Sequence, residues 1–294
     1  MSLRTFLFVG LILASSAAAA APYRLAPYKD DLFAYPKVLN TQDDGAYVVV
    51  QYLTQRDIIE RDEIPERRTH PQYVDLVPQR TETVTRGAVS VKYIGVGRTA
   101  GGAKAIVIYL HGQNGSRYQG ADQWMFGGNF SRVMNLMVRN DGAYLSPDFS
   151  NFGTTGTGEI KALMQDQAEK SPGAPIFVAC GSMGGRLCWN LAKDPEAAAL
   201  LGGLLLVGSN HDDEFLKSPQ IKGKAPAFPI YLGHGTRDPI FGWQGEVDFY
   251  NKVRKAAPGY PIRFVLFDDG SHGLPIRMTD WRLVLNWMLE VDGK

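Results

Sequence analysis

The fold is decided by one stretch of the sequence, Pro175-Ile-Phe-Val-Ala-Cys-Gly-Ser-Met-Gly-Gly-Arg-Leu187. Five apolar residues, 176–180, predict a buried strand. The next five residues, 181–185, include three glycines and predict a tight turn with the hydroxyl of Ser182 at its apex. An amphipathic run begins at Arg186 and predicts a helix, whose positive N-terminal end would favour an oxyanion above the serine.

This strand–turn–helix pattern resembles the nucleophile elbow, G-x-S-x-G, of the α/β-hydrolase superfamily. Cys180 stands where that motif has its first glycine, and its small side chain keeps the tight turn feasible. The alternative is a turn of a Rossmann-like sheet that binds phosphate. Such turns carry a P-loop or a G-x-G-x-x-G motif, and neither occurs in this stretch. The resemblance implies an α/β-hydrolase fold with Ser182 as the nucleophile.

Two later segments place an aspartate and a histidine just after predicted strands. The apolar run 228–233 leads to Asp238, and the apolar run 262–267 leads to His272. Because sites in open α/β sheets form at the carboxyl ends of the strands, these residues are expected to lie close to Ser182. The chain order serine, aspartate, histidine is that of α/β-hydrolases. The resemblance therefore implies Ser182 as nucleophile, His272 as base and Asp238 as the residue that orients the base.

Other residues compete for two of these roles. Asp268 and Asp269 are rival partners for His272, but they lie on its own loop and are poorly placed to reach behind the ring. His211 and His234 are rival bases, and His234 is more readily explained as a structural residue. We therefore favour the triad named above.

A second loop is expected to bind the oxyanion. The apolar run 104–110 predicts a central strand, as a sheet covered on both faces requires. It leads into His111-Gly-Gln-Asn-Gly115, which resembles the H-G-x loop of the superfamily. The resemblance assigns the two oxyanion donors to the backbone N–H groups of Gln113 and Met183. We interpret His111 as a structural support of the loop in preference to a catalytic group.

The N-terminus has the pattern of a secretory signal peptide. A positive region with Arg4 precedes the apolar run 6–13, and small residues follow over 14–21. The run is too short to span a bilayer, so residues 1–20 are predicted to be a cleaved signal peptide. The protein is then expected to be secreted or periplasmic, without a stable membrane span after cleavage. An uncleaved anchor is the alternative.

Length and charge limit the class of protein. The chain has 294 residues, of which 45% are hydrophobic and 21% charged, and its formal net charge is +1. These values predict one large globular domain, and the resemblance implies a single α/β-hydrolase domain over residues 21–294, with an N-terminal extension over about 22–87. The sequence has no basic stripe, which argues against a nucleic-acid partner.

The two cysteines, Cys180 and Cys188, fall on the predicted elbow strand and on the helix after it. Export would permit a disulfide between them. A bridge needs Cα atoms within about 7 Å, which a strand and the helix layer above it rarely provide. We therefore predict two buried free thiols.

The remaining segments predict a mostly parallel central sheet flanked by helices. Strands over 46–53, 81–85 and 88–96 are expected to form antiparallel N-terminal edge strands. The charged stretch 56–72 predicts a solvated loop or surface helix, with a partner surface as the alternative. The connection 210–227 is short and is expected to carry no large lid.

Three further segments bear on the site. The aromatic and glycine-rich segment 119–130 either lines a substrate pocket or packs over the sheet. The segment 151–158 predicts a flexible rim loop, and it lacks the lysine of a phosphate-binding P-loop. Residues 211–214, His-Asp-Asp-Glu, are of metal-ligand type, but adjacent residues rarely converge on one ion. No metal and no cofactor are predicted.

The resemblance covers roughly residues 90–290 and is specific for fold and reaction type rather than for substrate. The architecture is similar to that of lidless carboxylesterases and phospholipases, dienelactone hydrolases and secreted polyester depolymerases. It implies a serine hydrolase that acts on a small-molecule or polymeric carboxylic ester. A thioesterase or peptidase with the same triad and a non-catalytic hydrolase-fold binding protein are the alternatives, and the oligomeric state stays open.

Overall fold

The structure is a computed structural model that describes residues 23–61 and 71–293. The predicted signal peptide, residues 1–20, lies outside the described residues, and so does the part of the charged stretch from 62 to 70. Among the residues described, no helix is long and apolar enough to cross a membrane.

One mostly parallel sheet forms the centre of the described chain. Its strands are β1 (Val38–Gln42), β2 (Tyr47–Gln51), β3 (Arg80–Arg86), β4 (Val89–Gly97), β5 (Ile106–Leu110), β6 (Ala143–Pro147), β7 (Ile176–Gly181), β8 (Leu201–Val207), β9 (Ile230–Gly235) and β10 (Ile262–Asp268). Their spatial order is β1-β2-β10-β9-β8-β7-β5-β6-β4-β3. Strands β2 and β5 to β10 run parallel, whereas β1 pairs antiparallel with β2, and β4 pairs antiparallel with β3 and β6. The predicted mostly parallel sheet is confirmed.

The N-terminal strands lie at both edges of this sheet. β3 and β4 form an antiparallel edge, with Val84 opposite Val91. β2 does not join them but lies near the other edge, parallel to β10, with Tyr47 opposite Phe264. The rings of Tyr47 and Phe264 pack edge to face with 5.1 Å between their centroids. This aromatic pair is one of the contacts that stabilise β2 beside β10, since cross-strand aromatic contacts stabilise a sheet.

Side chains of the central strands alternate between two hydrophobic cores. In β5, Ile106, Ile108 and Leu110 contact one core, whereas Val107 and Tyr109 contact the other. All five side chains are fully buried. A strand that is apolar at every position requires cover on both faces, and helices supply it here.

The helices form two layers around the sheet. They are α1 (Asp30–Phe33), α2 (Arg117–Ala121), α3 (Asn129–Arg139), α4 (Thr154–Lys170), α5 (Gly185–Lys193), α6 (Pro195–Ala198), α7 (Trp243–Ala256), α8 (Leu274–Met278) and α9 (Trp281–Asp292). Helices α4, α5 and α7 pack on one face through residues such as Leu163, Leu187 and Phe249. Helices α3 and α9 pack on the other face through residues such as Met134 and Trp281.

Two helix boundaries differ from the sequence prediction. α4 begins at Thr154, so most of the predicted rim loop 151–158 is the first turn of a helix. The sequence also predicts a single closing helix over 275–289, but the structure divides this segment into α8 and α9. The division occurs because the carboxylate of Asp280 accepts a hydrogen bond from the Leu283 N–H and caps the start of α9.

Part of the charged stretch is buried rather than solvated. Residues 55–59 form a π-helical turn in which Asp57 is buried, and Arg61 follows it into the interior. The carboxylate of Asp57 accepts hydrogen bonds from Arg61 at 3.0 Å and from Arg56 at 2.7 Å. The prediction of a solvated segment is wrong for these residues, because their charges neutralise one another inside the fold.

Cys180 and Cys188 form a disulfide, so the prediction of two free thiols is wrong. Their Cα atoms are 6.3 Å apart, within the range that a bridge requires. The short helical turn Ser182–Gly184 joins β7 directly to α5. Because the connection is so short, α5 starts against its own strand and its first turn reaches Cys180.

The connection between β8 and β9 holds only the helical turn Asp213–Lys217. No large lid is therefore inserted here in the described chain, as the sequence predicted.

Candidate active site

Ser182 lies in a strained turn at the carboxyl end of β7. Its φ angle is 50°, in the left-handed region that residues other than glycine rarely adopt. The hydroxyl of Ser209, just after β8, donates a hydrogen bond of 2.7 Å to the Ser182 carbonyl. A side-chain carbon at Gly185 would collide with that hydroxyl. The turn is thus held by its neighbouring strand, and only a glycine at 185 permits the contact.

The structure brings Ser182, His272 and Asp238 into one hydrogen-bonded series. Ser182 Oγ lies 2.8 Å from His272 Nε2, and His272 Nδ1 lies 2.7 Å from Asp238 Oδ2. The three residues follow β7, β10 and β9, whose carboxyl ends meet at one edge of the sheet. Because an ionised carboxylate only accepts, Nδ1 donates to Asp238, and in the neutral ring Nε2 is then the acceptor for the serine hydroxyl.

The carboxylate of Asp238 is fully buried and fully hydrogen-bonded. Its Oδ1 atom accepts from the backbone N–H groups of Ile240 at 2.8 Å and Phe241 at 3.1 Å. These two bonds replace the hydrogen bonds to water that burial removes. They also fix the carboxylate, which leaves Oδ2 directed at His272.

The rival residues have other contacts. Asp269 forms an exposed ion pair with Arg237 at 2.8 Å, and Asp268 is exposed at the end of β10. His234 Nε2 donates to the Phe241 carbonyl at 2.9 Å and lies 3.3 Å from the Asp238 carboxylate. His234 therefore supports the loop that holds the aspartate and does not contact the serine.

Residues 211–214 do not converge. Their partners are Glu246 for His211, Lys193 for Asp212, Lys252 for Asp213 and Lys217 for Glu214. The hydrogen bond to Glu246 raises the pKa of His211 above its ordinary value. Across residues 23–61 and 71–293, no group of three or more His, Cys, Asp or Glu side chains is arranged to hold a metal ion.

The two predicted oxyanion donors, Gln113 and Met183, line the same cavity as Ser182. Within the described chain, the backbone N–H of Gln113 has no hydrogen-bond partner. A free backbone N–H in the cavity that Ser182 lines is available to bind an oxyanion.

His111 supports the loop that carries Gln113. Its ring stacks on Phe149 with 4.1 Å between centroids, and its Nδ1 donates to the Gly112 carbonyl at 2.8 Å. Burial lowers the pKa of His111, which favours the neutral ring. These contacts fit the structural role that the sequence analysis favoured.

The cavity above Ser182 has a volume of about 380 Å³. Its apolar walls include Phe126, Ile276 and, at the rim, Ile240, whose side chain is 61% exposed. Gln119 also lines it, whereas Phe130 packs in the core. The segment 119–130 thus lines the cavity with some residues and packs over the sheet with others, so both predicted alternatives hold in part.

Sequence reasoning did not identify three of the residues that build this site. Ser209 lies two residues beyond β8, and its position after a buried strand is a signal that could have drawn attention to it. Tyr109 lies inside an apolar strand, and Phe241 lies in a loop without a motif. Their contribution depends on how neighbouring strands pack, which the sequence pattern does not contain.

Similarity to known proteins is confined to structure. No protein-family model matches the sequence, and no curated protein matches it significantly. One similar solved structure is a thermostable esterase, with 16% identity, a TM-score of 0.55 and a match covering 72% of this chain and 62% of the esterase.

Two other similar structures are matched over most of their length. An esterase of Pyrococcus furiosus has 17% identity and a TM-score of 0.51, with 73% of this chain and 92% of the esterase covered. An α/β serine hydrolase homologue of Coxiella burnetii has 14% identity and a TM-score of 0.52, with 72% of this chain and 97% of the homologue covered. The chain has the α/β-hydrolase fold.

Proposed function

We propose that the protein is an exported serine hydrolase that cleaves carboxylic esters, with Ser182, His272 and Asp238 as its catalytic triad. The observation that carries this proposal is the series of hydrogen bonds of 2.8 Å and 2.7 Å that joins the three side chains. Such distances allow a base to take the hydroxyl proton directly. The esterases among the solved structures with this fold support the same class of reaction.

In the proposed mechanism, His272 Nε2 takes the proton of Ser182 as Oγ attacks the ester carbonyl carbon. The backbone N–H groups of Gln113 and Met183 stabilise the resulting oxyanion. His272 then gives its proton to the departing alcohol, which leaves an acyl group on Ser182. The same base activates a water that releases the acid, and Asp238 stabilises the charged ring throughout.

The walls of the cavity support an ester with an apolar group, either a small molecule or part of a polymer. Phe126, Ile240 and Ile276 offer apolar surface, and the short β8–β9 connection of the described chain inserts no lid over the rim, which favours access by a large substrate. Residues 1–20 have the pattern of a signal peptide. The Cys180–Cys188 disulfide supports export, since such bridges persist in oxidising compartments.

Covalent labelling with a fluorophosphonate tests the proposal. We expect mass spectrometry to locate one adduct on Ser182 in the wild type, and no adduct at this residue in Ser182→Ala. His272→Ala should react at least about 100-fold more slowly, because the general base is lost. Ser150→Ala, a change at an exposed serine, serves as the control and should label like the wild type.

The labelling result and the substrate rates decide between the proposal and its alternatives. If the folded wild type stays unlabelled and hydrolyses no p-nitrophenyl ester, the proposal is overturned and a non-catalytic binding role takes its place. If it is labelled, rates on matched ester, thioester and amide substrates decide between an esterase, a thioesterase and a peptidase.

A further inference from the structure

The cavity has a polar group on an otherwise apolar wall. Tyr109 and Gln119 both line it, together with apolar residues such as Phe126, Ile276 and Val207. The hydroxyl of Tyr109 donates a hydrogen bond of 3.3 Å to Gln119 Oε1. The amide group of Gln119 has no other side-chain partner in the described chain, so its Nε2 atom keeps its hydrogen-bond donors.

Tyr109 cannot move away from this position. Its side chain is fully buried in β5, and its ring packs edge to face on Phe130 with 4.6 Å between centroids. The hydroxyl lies so close to Gly181 that a side-chain carbon there would collide with it. The tyrosine therefore holds Oε1 of Gln119 from a fixed point next to the residue that precedes Ser182.

The helix that carries Gln119 is also fixed. The hydroxyl of Tyr144 donates to the Gly120 carbonyl at 2.6 Å, and that of Ser146 donates to the Arg117 carbonyl at 2.8 Å. Both donors are buried residues of β6. The short helix α2 is thus anchored to the sheet, and the amide of Gln119 is held in place before any ligand binds.

The Nε2 donor of Gln119, held in a mostly apolar cavity, favours a ligand with a hydrogen-bond acceptor. An all-carbon group against Nε2 would remove its water without replacing the hydrogen bond, which is unfavourable. Binding of an anionic group is also unfavourable, because no lysine or arginine lines the cavity in the described chain to balance its charge. A neutral oxygen accepts a hydrogen bond from Nε2 and carries no charge, so it suits this cavity.

We propose that the substrate is an ester whose group in this cavity carries a neutral hydrogen-bond acceptor, such as a hydroxyl, ether or carbonyl oxygen, bound by the side-chain amide of Gln119. Tyr109 is a positioning residue that orients this amide. The inference rests on the proposed ester hydrolysis and adds a substrate class to it.

The test compares p-nitrophenyl hexanoate with analogues in which an ether oxygen replaces the third, fourth or fifth carbon of the acyl chain. For each analogue, the ratio of its kcat/KM to that of the hexanoate is measured in the wild type and in Gln119→Met. Because the intrinsic reactivity of each ester is the same with both proteins, it cancels when the ratio in the wild type is compared with the ratio in the variant. At one or more oxygen positions, we expect the ratio to fall roughly threefold to tenfold in the variant, as the loss of one neutral hydrogen bond predicts.

Two further variants separate specificity from damage to the fold. Tyr109→Phe should lower the ratio at the same oxygen position, whereas a purely structural effect would lower both rates and leave the ratio unchanged. Gln165→Met makes the same chemical change on α4, away from the cavity, and should keep the wild-type ratio at every position.

The outcomes distinguish this inference from the function on which it rests. If Ser182 reacts with a fluorophosphonate but the ratios of the wild type and Gln119→Met agree at all three positions, the substrate class is overturned and the hydrolase stands. If the wild type neither hydrolyses the esters nor reacts with the fluorophosphonate, the proposed function fails, and the inference fails with it.

Discussion

His111 and His211 lie outside the proposed triad, and the fold changes their affinity for a proton in opposite directions. The hydrogen bond to the buried carboxylate of Glu246 raises the pKa of His211. Burial under Phe149 lowers the pKa of His111. A folded state that binds a proton more tightly than the unfolded state gains stability at low pH, and one that binds it less tightly loses stability there.

We predict that His211→Asn destabilises the protein more at about pH 5 than at about pH 8. The protonated ring paired with Glu246 stabilises the fold fully below the unfolded pKa of about 6.5. This contribution disappears as the pH rises through the raised pKa of the folded state. Urea unfolding of wild type and variant at the two pH values measures the difference.

His111→Asn provides the contrast. Because the folded protein favours the neutral ring, the wild type is expected to lose stability relative to this variant as the pH falls below about 6.5. An equal effect of His211→Asn at both pH values would show that its pair with Glu246 does not titrate as predicted.

At the scale of elements, the disulfide closes a ring around Ser182, the proposed nucleophile. Cys180 is the fifth residue of β7, and Cys188 lies in the first turn of α5. The bridge spans eight positions in the sequence, with Ser182 inside the ring. It ties the strand to the helix that follows the strained turn, so it restrains the turn in the unfolded chain as well.

We predict that the double variant Cys180→Ala/Cys188→Ala loses about 2.5 kcal/mol of unfolding free energy, as the loop-closure model gives for a ring of this size. Urea unfolding without reductant measures the loss. Adding dithiothreitol should destabilise the wild type and leave the double variant unchanged. Two thiols that react with an alkylating reagent in the unfolded, unreduced wild type would contradict the bridge.

Elements whose pattern depends on local sequence were predicted well, and those that depend on distant contacts were not. The apolar run and glycine turn around Ser182 gave the elbow, because periodicity and turn chemistry are local properties. The place of β2 beside β10 depends on a contact between Tyr47 and Phe264, more than 200 positions apart. The prediction of two free thiols failed for a related reason, since the distance between the two cysteines depends on how tightly one turn folds.

The same distinction applies to the site. Ser182, Asp238 and His272 could be proposed because each follows a strand, and the strands end at one edge. The contact between Tyr109 and Gln119 could not, since it joins a core strand to a short helix through side chains. Buried charges such as Asp57 were missed because a run of charged residues usually predicts exposure.

At the scale of the whole molecule, the N-terminal extension is part of the folded core. Leu25 and Tyr28 pack in the same core as α3 and α9. The guanidinium group of Arg132, which is 0% exposed, donates to Asp30 at 3.1 Å and to Asp280 at 2.8 Å. One buried cation on α3 therefore connects the extension to the C-terminal helix.

We predict that Arg132→Met lowers the free energy of unfolding by about 2 kcal/mol, because it removes a buried cation that bonds two carboxylates. Asp30 keeps its pair with Arg282 at 2.7 Å and Asp280 keeps the Leu283 N–H, so neither carboxylate is left without a partner. Arg24→Met is the matched control. Arg24 also joins the extension to α9, through Glu290 at 3.2 Å, but both side chains are at least half exposed. An exposed pair contributes less than about 1 kcal/mol, so the control should unfold close to the wild type.

Limited proteolysis of the same proteins shows where the stability is lost. Because Arg132 holds Asp30 and Asp280 together, cleavage of Arg132→Met should accelerate first between residues 23 and 61, before the central sheet is cut. Arg24→Met should keep the wild-type pattern. Should the two variants unfold at the same urea concentration, the buried network would contribute no more than the surface pair. The extension would then be held by its other contacts, such as the packing of Leu25 and the pair of Arg282 with Asp30.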